Sequence, residues 1–374
     1  MAINTSIQWC HSTVNPCMGC LGCEIYPPPG KIITRLDREL SEIEKSWRAG
    51  LVAEILRQII HKLGANLPDQ FLELTTTNIY HVRMHLNRFL SETYSATLGQ
   101  LAQNIIEEMV KCYAARLHLS KAFSIVNPTR HANKGYAPTF ESITRFPGRV
   151  LKMAQSTPPK KTDSPWLDGQ PHLIFLSDMG DALSRVTDFE FLLEDTIPAI
   201  VSSEGSRKMW LWLSKRPKNM AAFAMKLEGL PQNICAITTI TSRETLYRVD
   251  ELRTVKASSR GLSIEPLWER IPAEELDLTG IDWVIVGGES GKYQNVKLFQ
   301  LEWAEELRNH CRENGVAFFM KQLGRKPFYR GKELTLKDKH GGEWSEWPDG
   351  FAVREFPECF KRLTNQNTEK FILI

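Results

Sequence analysis

Half of the eight cysteines stand in one short stretch, Ser6 to Tyr26: Cys10, Cys17, Cys20 and Cys23. Gly19 and Gly22 precede Cys20 and Cys23, and Asn15-Pro16 breaks the chain just ahead of them. Small residues between thiols let a backbone fold around a metal or an iron–sulfur cluster. Three readings of the thiols compete. Cys17, Cys20 and Cys23 form a compact Cys-x-x-Cys-x-x-Cys. With Cys10 they make a closed Cys₄ zinc site, which would suit a non-enzymatic module. Disulfides are the third reading, but no secretory signal is visible and close spacing favours metal. His11 beside Cys10 is a zinc ligand or a polar loop residue.

A second group of chemistry-bearing residues recurs at the ends of short apolar runs. L-I-F-L closes on Ser177-Asp178 and Asp181, M-W-L-W-L on Ser214-Lys215-Arg216-Pro217, and I-C-A-I on Thr238-Thr239. G-L-S-I, which contains Ser263, closes on Glu265-Pro266, W-V-I-V on Gly287-Gly288-Glu289-Ser290, and V-A-F-F-M on Lys321-Gln322. Stretches long enough for crossover helices separate the runs. Repeated strand-then-helix units predict an α/β fold, a partial or complete (β/α) barrel of parallel strands. A further strand at Ile7 to Trp9 brings the expected count to seven. The polar ends then share one rim, where such barrels place their chemistry.

The elements that position these residues divide the chain into four. Residues 1–30 hold the first strand and the Cys loop. Residues 31–110 read as a helical insertion, from the spacing of Leu36, Leu40, Ile43 and Trp47, then Leu51, Ile55, Ile59 and Leu63 with Gly64 as a cap, and Leu98, Leu101, Ile105, Met109 and Cys112 after a break at 75–78. Residues 111–323 complete the barrel, with an irregular connection over 127–170. Residues 324–374 form a capping segment with two tryptophans in H-G-G-E-W-S-E-W-P. Hydrophobic residues make up 42% and charged residues 24%, the balance of a globular domain rather than a membrane or disordered chain. A net charge of +3 on 374 residues neither requires nor excludes nucleic acid. No apolar run approaches the ~20 residues of a membrane helix. The expected compartment is the cytoplasm. H-E-x-x-H, the P-loop and G-x-S-x-G are absent.

The ordered set of motifs resembles the phage- and mobile-element-associated radical-SAM-like proteins of unassigned function, and more distantly spore photoproduct lyase. The residues that carry the resemblance are Ser6-Ile7-Gln8-Trp9, Asn15-Pro16-Cys17-Met18-Gly19-Cys20, Gly22-Cys23, Cys112-Tyr113-Ala114-Ala115-Arg116-Leu117, Ser214 to Pro217, Ser263 to Leu267, Trp283 to Ser290 and the F-F-M-K-Q-L-G around Lys321. They span the chain apart from the helical insertion. The resemblance implies a [4Fe-4S] cluster on three thiolates, whose open iron chelates S-adenosylmethionine and cleaves it reductively to a 5′-deoxyadenosyl radical. It offers Cys20, Cys23 and Cys112 as ligands, with Cys17 in place of Cys112 as the alternative. In the family the second and third cysteines are close together, whereas here the insertion separates them. The resemblance further implies that Ser177, Asp178 and Asp181 meet the methionyl ammonium, Ser214 and Lys215 the carboxylate or ribose, and Gly287 and Gly288 the adenine or ribose. Glu265 and Glu289 then serve ribose hydroxyls or substrate, with Thr238 and Ser263 on the same rim. Expected partners are an electron donor, a nucleic acid or nucleoside substrate, and a protein docking on the helical insertion. Lys160-Lys161, Lys215-Arg216 and Arg325-Lys326 could line a phosphate-binding mouth.

Overall fold

The structure, a computed structural model, describes residues 1–361 except 21–22, 25–28, 45–46, 48–49, 53, 56–57, 59–78, 110, 113, 116, 118–135, 138–139 and 141–142. Gly22, Ile59, Leu63, Gly64, the break at 75–78, Tyr113 and Arg116 of the sequence reading therefore lie outside the described residues. The chain forms two compact units, Cys17–Phe146 and the remainder, 1–16 with 147–374.

In chain order, the strands and main helices are β1 (Ser12–Val14), β2 (Cys17–Met18), α1 (Pro29–Ile43), α2 (Ile79–Thr93), α3 (Ala96–Met109), β3 (Thr144–Arg145), α4 (Arg149–Ala154) and β4 (His172–Leu176). There follow β5 (Lys208–Ser214), α5 (Pro217–Met225), β6 (Ile234–Thr239), α6 (Tyr247–Arg253), β7 (Ser259–Ile264) and β8 (Trp283–Gly287). Then come β9 (Phe299–Gln300), α7 (Leu301–Glu313), β10 (Ala317–Gln322), β11 (Pro327–Tyr329) and β12 (Lys332–Glu333).

The larger unit is a seven-stranded sheet in the order β1-β4-β5-β6-β7-β8-β10, parallel at every pairing and curled into a half-barrel. All six apolar runs from L-I-F-L to V-A-F-F-M are its strands. The seventh is not Ile7 to Trp9: the first strand is Ser12–Val14, and Trp9 instead packs on Phe175 and Trp283, with ring centres 4.6 and 6.0 Å away. Its indole is more useful as a wedge in the core than as one rung of a ladder.

Strands buried on both faces need apolar residues at every position, which explains the unbroken runs. Odd-numbered residues, among them Leu173, Phe175, Leu211, Ile237, Ile285 and Phe319, share one core with Phe356 and Phe360 of the carboxyl-terminal segment. Even-numbered residues face the crossover helices, as Trp212 does against Phe223 of α5, 5.4 Å away. The concave side is therefore the odd-numbered side, and its lower part is filled by the returning tail. Arg354 anchors that tail, its guanidinium 3.8 Å from the Trp166 ring centre and bonded to the Met320 and Lys321 carbonyls. Burial lowers its pKa to about 10.

The smaller unit joins β2 to antiparallel β3 and carries α1, α2 and α3. Gly99 of α3 lets α2 approach: a Cβ there would stand 2.6 Å from the Asn87 carbonyl oxygen. Leu36, Leu40 and Trp47 are buried as their spacing implies, whereas Ile43 is exposed. Among the described residues no helix is long and apolar enough to cross a membrane.

Candidate functional site at the carboxyl rim of the half-barrel

Side chains alternate along a strand, so the odd-numbered series can be followed to its carboxyl ends. It reaches Thr13 on β1 and Asn15 after it, Ser177 after β4, Lys215 after β5, Thr239 on β6, Ser263 and Glu265 at β7, and Gly287 on β8. These polar positions follow an apolar layer in register, which makes the rim one surface rather than a set of unrelated loops. Ser214 and Thr238 are even-numbered, and their pleat turns them to the helix-covered side.

Ser177 is the most unusual residue of this rim. It is buried, it holds a left-handed φ of 75°, and its Oγ is without a hydrogen-bond partner among the described residues. Its N–H donates to the Val14 carbonyl at 2.9 Å, so the backbone is pinned by β1. A non-glycine residue in this region costs of order 1 kcal/mol and persists where its surroundings impose it, most often at functional sites. Asn15 clamps the next turn: its Nδ2 donates to Asp178 Oδ1 at 2.6 Å, and its Oδ1 accepts from the Met179 N–H at 2.8 Å. Burial raises the Asp178 pKa, a desolvation opposed by the Asn15 bond.

Asp181 is committed to the scaffold. It accepts from Ser214 Oγ at 2.9 Å and the Lys215 and Leu183 N–H groups at 3.1 Å, and it pairs with Arg216 at 3.2 Å. Ser214 Oγ in turn accepts from the Arg216 N–H, and Thr238 Oγ1 donates to the Ser214 carbonyl. Glu289 is likewise engaged, accepting from Trp268 Nε1 and the Lys297 N–H.

Across β7, β8 and β10 lies an ion pair that sequence reading did not select. Lys321 Nζ stands 2.5 and 2.7 Å from the two Glu265 oxygens, with both side chains largely buried. The pair spans over β8, and Gly287 leaves the room: a Cβ there would sit 3.3 Å from Glu265 Cγ and 3.4 Å from Gln322 Cγ. The β8–β10 register slips between Met320 and Gln322, and such a slip re-aims the side chain at it, here Lys321. Gly288 serves packing: a Cβ would fall 2.3 Å from the Leu323 carbonyl oxygen. In the sequence Lys321 shows as a polar strand end and in F-F-M-K-Q-L-G, and Asn15 as a chain break and in the Asn15-Pro16 motif; nothing there joins either to its partner.

The thiols are placed as follows. Cys17 is buried in β2, Cys20 donates its N–H to the Phe140 carbonyl at 2.8 Å, Cys23 is partly buried, and Cys112 is buried just past α3. The insertion thus returns Cys112 to the compact unit that holds the other three. Even so, among the described residues no three His, Cys, Asp or Glu side chains stand together as a set able to hold a metal ion. The thiols do not fit a metal or cluster as they stand, so no chemical step is derived through one. Cys10 belongs to the half-barrel core, where burial pushes its thiol up to about 12; it packs as a hydrophobe, unlike a ready thiolate ligand. His11 accepts the Leu173 N–H through Nδ1 and is likewise structural.

Residues 88–348 match the family described as "Protein of unknown function (DUF5131)". The chain belongs to that family. The matched region contains the rim from Ser177 to Gln322 and Cys112, and leaves Cys17, Cys20 and Cys23 outside it. No curated protein and no solved structure matches the chain.

Proposed function

We propose that the chain is a radical-SAM-type enzyme that binds S-adenosylmethionine at the carboxyl rim of its half-barrel. The reading is supported chiefly by where the polar motifs lie: at successive strand ends of one parallel sheet, with Ser177 strained and its hydroxyl unengaged. When bound, the cofactor supplies a sulfonium with a cleavable carbon–sulfur bond. The chain's own residues supply recognition. Asp178, biased toward its neutral form by burial, gains most from a cationic partner, and the methionyl ammonium would draw it back to the carboxylate. Ser177 Oγ has a donor and an acceptor to offer the same end of the ligand. Glu265 and Lys321 hold opposite charges that can re-partner, the carboxylate with ribose hydroxyls and the ammonium with the methionyl carboxylate. Asp181, Ser214, Thr238 and Glu289 act one layer back, holding the loops that present these groups.

Nucleic acid or a nucleoside is the proposed substrate, in repair, modification or mobile-element defence. An electron donor and a protein docking on the helical insertion are the proposed partners. Titration calorimetry with S-adenosylmethionine tests the rim. The wild type should bind, and Asp178→Ala should weaken binding about tenfold or more, the worth of a charge-assisted hydrogen bond. Anaerobic iron and sulfide analysis of reconstituted wild type and Cys112→Ala tests the thiols separately: a cluster held by the wild type and lost from Cys112→Ala would show that the sulfurs rearrange onto metal, and 5′-deoxyadenosine formed by that protein with reductant would establish cleavage. Absence of S-adenosylmethionine binding by the wild type would remove the reading.

A further inference from the structure

The segment that follows β10 is strongly basic. Residues 324–339 hold six basic and two acidic side chains, a net +4, whereas the whole chain carries +3. Several exposed arginines elsewhere are matched: Arg185 pairs with Asp188, Arg243 with Glu275 and Arg270 with Glu306. Among the described residues none of the six basic residues from Arg325 to Lys339 makes such an ion pair. Both carboxylates of the segment are engaged otherwise. Glu333 accepts from the Tyr293 hydroxyl at 2.9 Å, and Asp338 accepts backbone N–H groups of His340, Gly342 and Glu343.

Aromatic rings interleave with these cations. Lys326 Nζ lies 4.3 Å from the centre of the exposed Tyr293 ring, Arg325 Cζ lies 5.9 Å from it, and Arg330 Cζ lies 4.9 Å from the Tyr329 ring. Tyr293, Arg325, Glu333, Asp338 and Lys339 border an open cleft of about 150 Å³. Clefts that enclose whole small molecules run to roughly 300–1,000 Å³. This one suits a single group of a chain that lies across the surface. The Arg325 N–H donates to the Glu289 carbonyl, which ties the patch to the loop following β8.

We infer that this surface binds single-stranded nucleic acid, with a backbone phosphate in the cleft between Arg325 and Lys339 and a base stacked on Tyr293. Unneutralised cations bind phosphates, and an exposed ring fixed at its hydroxyl offers a sequence-independent stacking platform. The inference deepens the nucleic-acid part of the proposed function, since the patch adjoins the β8 and β10 ends of the rim. Its binding does not depend on S-adenosylmethionine chemistry.

The test is fluorescence anisotropy with labelled single-stranded oligo-dT and oligo-U, and a DNA duplex of equal length, over a series of salt concentrations. The wild type should bind the single strands more tightly than the duplex, with affinity falling as salt rises. A triple variant, Arg325→Ala with Lys326→Ala and Lys339→Ala, should flatten the slope of log affinity against log salt by about 0.7–1.4, at ~0.7 for the phosphate in the cleft and as much again for a neighbouring phosphate met by Lys326. Tyr293→Leu should weaken binding about tenfold at unchanged slope, as loss of one stacked base predicts. Circular dichroism and S-adenosylmethionine titration of the same variants should match the wild type, which separates loss of the patch from loss of the fold or the rim. Wild-type protein that binds no single strand, prefers duplex, or is displaced equally by poly-glutamate would overturn the inference. So would variants that bind as tightly as the wild type. If oligonucleotide binding holds while S-adenosylmethionine binding fails, the patch stands and the rim reading falls.

Discussion

Ser177 places a backbone cost and an unengaged hydroxyl on the same residue. Replacing it by glycine removes the steric objection to φ 75° and with it about 1 kcal/mol of strain. The expected result is a melting temperature higher by about 1–3 °C, together with weaker binding of S-adenosylmethionine because Oγ is gone. Differential scanning calorimetry and ligand titration on the same variant decide the point. A variant that is less stable than the wild type would mean that Oγ has a structural role. One that is more stable and binds equally well would make the strain irrelevant to the ligand. Ser177 was legible as a polar residue closing L-I-F-L, but its backbone angle was not, because only the Val14 carbonyl on a neighbouring strand imposes it.

At the scale of elements, one missing side chain governs the contact between three strands. Gly287 lets Glu265 reach from β7 over β8 to Lys321, and the register slip on β10 aims Lys321 at it. Gly287→Ala asks its neighbours to yield by a few tenths of an ångström and should be mild. Gly287→Val places branched carbons into the Glu265 and Gln322 stems and should open the pair. Lys321→Met leaves the Glu265 carboxylate buried without its cation, at a cost of about 3 kcal/mol. Urea denaturation should therefore rank the wild type and Gly287→Ala above Gly287→Val and Lys321→Met; equal midpoints for all four would show that the pair is not a structural tie. The strands themselves were legible because each is an apolar run bounded by polar or glycine residues. The pair was not, since its partners lie 56 residues apart and meet only through register. β1 was misplaced for a related reason: Ser12-Thr13-Val14 looks polar and short in isolation, yet all three residues are buried beside β4. The thiols show the opposite limit. Spacing made Cys17, Cys20 and Cys23 conspicuous and the family resemblance added Cys112, but neither brings three such groups together as a metal-holding set among the described residues.

On the scale of the whole molecule, a buried histidine cluster and the proposed ligand rim sit at opposite ends of the same sheet. At the amino ends of β1, β4 and β5, His172 lies between Ser12 Oγ, 2.8 Å from Nε2, and Lys208 Nζ, 3.2 Å from Nδ1. Ser12 donates its proton to the Ile3 carbonyl at 2.5 Å, so Nε2 carries the imidazole hydrogen and Nδ1 accepts from the ammonium. A second proton would then face Lys208. Burial first, and the Lys208 charge second, lower His172 to about 3, and burial lowers His11 to about 4. The unfolded chain takes up protons on both as pH falls below about 6.5, while the folded chain does so only near the depressed values. The unfolded state therefore binds more protons throughout that window, and stability must fall as pH falls from about 6.5 toward 4 and 3, by a few kcal/mol. Asp178 works in the opposite sense, because its raised pKa makes the folded state the better proton acceptor at that site. Urea denaturation at a series of pH values should show this decline, steeper in Asp178→Asn, where the opposing group is removed. His172→Gln should flatten the slope across the same window, at the cost of a lower plateau above pH 7. An unchanged slope in His172→Gln would place the acid sensitivity elsewhere in the molecule. S-adenosylmethionine affinity, measured at pH 7.5 on the same variant, should stay near that of the wild type, because the histidine lies a full strand length from the rim.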